Sequence, residues 1–212
     1  MEKEQRLINS TFEVRQIGEG EEKQTHIQGY ALTFDTISED LGFKETIRKG
    51  ALDNTDFSDV VLNFNHDNSR ILARNNKSEG AGSLKLTIDE KGLFFDAIPT
   101  NTTYARDLIE NMESGIVGKC SFAFSLDWND KEAQSWEWDT DNRGYDFRTI
   151  NKIASISDVS IVTFPAYEST SSTIYKRAKE DMQEELRNLE REKQLNELEI
   201  DLELLELENE VL

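Results

Sequence analysis

A mostly antiparallel β-barrel of the α+β class, with a few surrounding helices and then one long acidic helix, is the fold this sequence predicts. Three observations lead there. Short segments that alternate apolar and polar residues, or run apolar between turn formers, recur as far as Phe164. Within that stretch one segment has clear helical periodicity, and the strand–helix–strand alternation of a doubly wound sheet is absent. Composition then changes abruptly, because all 11 Gly, both Pro and every Trp and Phe precede Tyr175. At 212 residues the chain can bury one real core and carry an appendage.

In chain order, residues 12–17 alternate as a half-buried strand does, and residues 29–34 and 60–64 read as further strands. Residues 84–88 alternate again, and Asp89-Glu90-Lys91-Gly92 is a turn joining them to a strand over 92–97. Asn101-Thr102-Thr103 offers a helix cap; Tyr104, Leu108, Ile109 and Met112 recur at helical spacing until Ser114-Gly115 stops them. Strands follow over 121–126 and 159–164. The run from Glu137 to Asn142 has some calcium-loop polarity but lacks the glycine and the terminal glutamate, so it reads as a solvated loop.

The predicted organisation is a domain over 1–177 and a helical tail over 178–212, the latter with 13 acidic and 4 basic residues. Leu195, Leu198, Leu202, Leu205 and Leu212 form one stripe, and Ile200, Leu204, Leu207 and Val211 a neighbouring one. Met182, Leu186 and Leu189 are out of register with them, and Lys193 falls at a nominal core position. The tail is therefore open to two readings, a solvated or self-associating helix and a docking element for a partner.

A net charge of -19 and a pI near 4.5 argue against nucleic acid or an anionic membrane as partner, because phosphate binding needs clustered Lys and Arg. A single cysteine, Cys120, excludes an intrachain disulfide framework and a multi-cysteine zinc site, and two histidines, His26 and His66, do not make a His-rich metal centre. No cofactor or metal is expected. The first residues lack an apolar leader and no apolar run approaches the roughly 18 residues of a membrane span, so the expectation is a protein that stays in the compartment that made it.

Three polar residues stand in or beside apolar strand-like runs, where an unpaired polar group is costly. His66 lies in Asn63-Phe64-Asn65-His66-Asp67, Ser121 in Gly118-Lys119-Cys120-Ser121-Phe122-Ala123-Phe124, and Asp158 opens the run that ends at Phe164-Pro165-Ala166. A serine hydroxyl needs a base, and the base an orienting group. His66 is the candidate base and His26, in a polar stretch, reads as an exposed strand residue. Ser121 sits on one strand face with Ala123 and Ser125, opposite Phe122 and Phe124. Cys120 is an alternative nucleophile, but neighbours on a strand face opposite ways and only one can meet His66. Asp158 either orients the imidazole or caps a turn after Ser155-Ile156-Ser157, with Asp67 as a rival orienter. No Gly-x-Ser-x-Gly elbow is present.

The order His, Ser, acid, with these flanks, resembles the prohead maturation protease family of tailed phages, which shares its fold with herpesvirus assembly proteases. The resemblance runs from Thr11 to Arg177 and includes Gly29-Tyr30-Ala31, Glu45 to Leu52, Asn65-His66-Asp67, Gly92-Leu93, Ser121-Phe122-Ala123-Phe124 and Asp158 to Ala166. It implies His66 as general base, Ser121 as nucleophile and Asp158 in the third place, where phage members often carry Glu and the herpesvirus enzymes a second His. It also implies an endopeptidase acting inside the procapsid in the host cytoplasm, on scaffold or the N-terminal segment of the major capsid protein and on itself, and a homodimer. The rival class is a noncatalytic assembly protein built on the same barrel; a third reading is a cysteine hydrolase using Cys120 and His66. With His66 as base, activity is expected to fall below roughly pH 6.

Overall fold

The computed structural model describes residues 3–8, 12–20, 23–140, 142–163 and 169–210. The chain divides into two compact units, Met1–Ser171 and Ser172–Leu212. Among the described residues the first carries twelve strands: β1 (Glu4–Ile8), β2 (Glu13–Ile17), β3 (Gln24–Thr33), β4 (Lys44–Ile47), β5 (Val61–Phe64), β6 (Asp67–Arg74), β7 (Ser83–Ile88), β8 (Gly92–Ile98), β9 (Lys119–Ser125), β10 (Gln134–Glu137), β11 (Phe147–Ile150) and β12 (Ser155–Val162). Nine of them form one sheet in the order β1-β9-β12-β5-β6-β7-β8-β3-β2, curled into a half-barrel; β10, β11 and β4 form a second, small sheet. Neighbours in the large sheet are antiparallel except β12 with β5 and β6 with β7. The expected mostly antiparallel barrel is therefore present, with β1 and β2 as its two edges.

Local chemistry explains the elements that frame it. In the β7–β8 turn, the Lys91 and Gly92 N–H groups donate to Asp89 Oδ1 at 2.8 and 3.0 Å. A Cβ on Gly92 would run into the Leu32 backbone carbonyl, beside the irregularity in β3 between Tyr30 and Leu32, so only glycine fits. Helix α1 (Thr103–Glu113) buries Ala105, Leu108 and Met112 and ends before Gly115 at φ 72°. Its start differs from expectation: Thr102 holds the cap position in extended backbone but makes no capping bond, and its buried Oγ1 has no partner among the described residues. The stretch over 137–142 is also more ordered than a solvated loop. Trp138 stacks on Trp136 with centroids 5.2 Å apart, and Asp139 accepts the Arg143 and Gly144 N–H groups, both at 2.8 Å; Asp141 lies outside the described residues.

A buried cluster of four charges joins the edge of the large sheet to the small one. Glu4 and Arg6 come from β1, Glu45 from β4 and Arg148 from β11, and all are 5% exposed or less. Arg6 reaches Glu45 at 2.7 Å and Glu4 at 2.6 Å; Arg148 reaches Glu4 at 2.7 Å and Glu45 at 2.8 Å. Two guanidiniums and two carboxylates are formally neutral together, which is what permits their burial. Burial alone would raise the Glu45 carboxyl, yet Arg6 and Arg148 beside it hold it below the usual carboxylate range. A depressed carboxylate of this kind contributes stability above its unfolded-state value, and that contribution is lost as pH falls through the folded-state value.

The second unit belongs to helix α2 (Ser169–Glu210), the expected long acidic helix. Leu186, Leu189 and Leu195 are 52%, 56% and 61% exposed; the side chains of the stripe from Leu198 onward lie outside the described residues. Among the described residues no helix is long and apolar enough to cross a membrane.

Arg148→Met tests the charge cluster. It leaves Glu4 and Glu45 sharing Arg6 alone, and breaking such a buried network typically costs about 3–5 kcal/mol. Equilibrium urea unfolding of the variant should show that loss, and a shift under about 1 kcal/mol would refute the cluster's role.

Candidate active site

The hairpin joining β5 to β6 closes through two residues, Asn65 and His66, between the paired Phe64 and Asp67. Both have positive φ, 55° and 56°, as the central residues of a type I′ turn require. Asparagine suits the first position, but the second is ordinarily glycine, and histidine there costs on the order of 1–2 kcal/mol. Contacts to β12 and the residue just beyond it hold the turn. Asn65 N–H donates to the Ile161 carbonyl at 2.9 Å, the Thr163 N–H donates to Asn65 Oδ1 at 3.0 Å, and His66 N–H donates to Ser160 Oγ at 2.9 Å.

Strand β12 lies between β9 and β5. Its Ser160 is opposite Ser121 on one side and Asn63 on the other, and its Asp158 is opposite Ala123 and Val61. Cross-strand partners share a face, so Ser121, Ala123, Asp158, Ser160 and Asn63 occupy one surface of the sheet. Asp158 is not at the entrance to the strand as expected, but in its interior, because residues 155–157 continue the ladder with β9 rather than forming a turn. The pairing slips between Ile156 and Asp158, leaving Ser157 as the extra residue of a bulge.

The imidazole of His66 lies over this face. Its Nδ1 is 2.6 Å from Asp158 Oδ1 and its Nε2 is 2.8 Å from Ser121 Oγ. The His66 and Asp158 side chains are 10% and 12% exposed, so the chain of bonds is largely shielded from water. In this geometry Nδ1–H donates to the carboxylate, the hydroxyl donates to Nε2, and the ring is held where it can take the hydroxyl proton.

The sequence-level rivals fall elsewhere. Asp67 accepts the Ser69 N–H at 2.8 Å and the Ser69 hydroxyl at 2.7 Å, and these bonds hold its carboxyl low; its other oxygen faces Arg70 at 3.5 Å. Cys120 is fully buried, and burial, with the Asp158 charge adding to it, pushes its thiol up to about 12. His26 is not the exposed residue expected: it is half-buried, with Nδ1 2.6 Å from Asp96 Oδ1 of β8. The sequence reading missed Ser160 and the turn-holding part of Asn65. The available signals were Asp158-x-Ser160, which alternation places on one face, and an Asn-His pair standing where a hairpin expects Asn-Gly.

Among solved structures, that of the bacteriophage T4 capsid assembly protease, gp21, is similar over 74% of this chain and 96% of its own, with 13% identity and a TM-score of 0.45. No curated protein matches the sequence. Residues 10–185 match the family model of the caudovirus prohead serine protease, and the chain belongs to that family.

Two outcomes check the local geometry. Asn65→Ala should destabilise the fold by about 1–2 kcal/mol, with Asn65→Gly closer to wild type because glycine adopts the left-handed conformation freely; equal losses in urea unfolding would refute the turn argument. Cys120 should resist iodoacetamide at pH 8 in the native protein and react once guanidinium unfolds it, as read by intact mass.

Proposed function

We propose, starting from membership in the caudovirus prohead serine protease family, that His66, Ser121 and Asp158 are the catalytic triad of a prohead maturation endopeptidase. The observation that carries the assignment is the unbroken pair of hydrogen bonds from Asp158 through the His66 ring to Ser121 Oγ. Ser121 Oγ attacks the scissile carbonyl while His66 Nε2 takes its proton. The carbon–nitrogen bond then breaks, with His66 returning the proton to the leaving amine. A water repeats the sequence on the acyl-enzyme. Asp158 keeps Nδ1 protonated and stabilises the imidazolium formed at each transfer.

The substrates that fit this reading are scaffold, or the scaffold-like N-terminal segment of the major capsid protein, met inside the assembling procapsid in the host cytoplasm, by an enzyme working as a homodimer. On this reading residues 1–177 are the protease and the acidic residues 178–212 are a scaffold-like element trimmed by the enzyme itself, near Lys176-Arg177 or further along. The high value of the Cys120 thiol leaves little thiolate to compete as nucleophile.

The test is coexpression of the full chain with its neighbouring capsid or scaffold protein, wild type against Ser121→Ala, with fragments read by intact mass spectrometry. Wild type should yield defined fragments and lose its own tail, and Ser121→Ala should lose at least about 10⁴-fold in cleavage rate. Equal cleavage by both would remove Ser121 from the mechanism, and cleavage by neither would favour a noncatalytic assembly role.

A further inference from the structure

We propose that Ser160, gripped by Asn63, is a positioning residue for the reaction: its hydroxyl locks the backbone of the base-bearing turn and holds the His66 ring over Ser121. The inference rests on the triad reading of the same site. Ser160 and Asn63 are both fully buried, and neither belongs to the Asp158–His66–Ser121 chain of bonds.

One hydroxyl meets three groups. Ser160 Oγ accepts the His66 N–H at 2.9 Å, donates to Asn63 Oδ1, and lies 3.3 Å from Asp158 Oδ1, the same oxygen that receives His66 Nδ1. The backbone and the ring of His66 are therefore tied to one point on β12, from two sides. This matters because His66 is at φ 56°, where an L residue other than glycine or asparagine is readily lost to another conformation. Release of that N–H lets the turn relax, and the ring moves relative to a hydroxyl that must stay within hydrogen-bond reach.

Asn63 supplies the second, independent observation. Its Oδ1 takes the Ser160 proton, while its buried Nδ2 has no partner among the described residues. Among the described residues, the bond to Ser160 is thus the one this fully buried amide makes. Register places the grip: Asn63 and Ser121 flank Ser160 on opposite sides of β12, and the Ser160 hydroxyl is bonded on the Asn63 side.

The experiment uses the full chain and a fluorophosphonate probe, which labels an activated serine. Ser160→Ala should lower the maximal labelling rate at saturating probe by about 10–100-fold, with half-saturation within about twofold of wild type, because the ring and not the binding surface is displaced. Ser160→Thr, which keeps the hydroxyl, should recover most of the rate. Asn63→Ala should fall between. With only two histidines in the chain, the Nδ1–H proton of His66 can be assigned by NMR against a His26→Gln variant; in Ser160→Ala it should broaden or move upfield while the thermal midpoint of unfolding stays within a few degrees. A Ser160→Ala enzyme with wild-type labelling and an unmoved His66 resonance, beside an inert Ser121→Ala control, would overturn the positioning role and leave the triad standing. A rate loss explained by a fallen thermal midpoint with the His66 resonance unmoved would overturn it as well. Labelling that persists in Ser121→Ala would remove the triad reading, and this one with it.

Discussion

Strand β12 is bonded along both edges, antiparallel to β9 and parallel to β5, and its register sets the distance between groups that lie far apart in sequence. A slip of one residue on either side would send Asp158 and Ser160 to the opposite face and uncouple them from Ser121 and from the His66 turn. The bulge at Ser157 is part of that setting. Without the extra residue, the side chains before and after it would follow simple alternation, and the carboxylate would be out of phase with Ala123. The small side chain of Ala123 opposite Asp158, with Ser121 and Ser125 on either side, leaves room above the sheet for an imidazole.

The strained turn has its counterpart in this arrangement. His66 at φ 56° is a residue placed where backbone preference favours glycine, and the bonds made by Ser160, Ile161 and Thr163 are what offset the cost. The three are successive or near-successive positions of β12 and its exit, so the strand that carries Asp158 also supports the His66 turn. The coupling is economical in sequence: Asp158 to Thr163 is six residues, and it contacts both other segments of the site.

What could be read from sequence divides along physical lines. Alternation and turn chemistry revealed β2, β7, β8 and α1, because those elements bury one face and are bounded by residues with strong local preferences, such as Asp89 and Gly115. Their sheet order was not readable, since a strand of alternating residues carries no label for its neighbour. The parallel pairing of β5 with β12 joins segments about a hundred residues apart and has no local signature. Of the site, the polar residues in apolar runs were visible as anomalies, which is how His66, Ser121 and Asp158 were singled out. Ser160 was not, because a serine in a strand is ordinary until its burial is known. The Glu4–Arg6–Glu45–Arg148 cluster was equally hidden: its members come from three strands far apart in sequence, and only the packing of two sheets brings them together. His26 erred in the same direction, as a histidine in polar surroundings whose partner, Asp96, is supplied from another strand.

The strand bearing Ser121 shows how neighbouring residues are assigned opposite tasks. On β9 the alternation puts Cys120, Phe122 and Phe124 into the core, where the two rings stack with centroids 5.2 Å apart. Ser121 and Ala123 face the imidazole and the carboxylate. A thiol is intrinsically the better nucleophile, yet one residue of offset places it in surroundings that suppress its ionised form, while the Ser121 hydroxyl lies 2.8 Å from His66 Nε2. On the far side of β9, Leu7 of β1 lies opposite Ser121, and β1 is itself anchored by Glu4 and Arg6 in the buried charge cluster. The neutral four-charge lock and the hydrogen-bonded site are thus two ends of one support. The first fixes the outer edge of β9, β12 fixes its inner edge, and a strand held on both sides gives the Ser121 hydroxyl little freedom to move from the His66 ring.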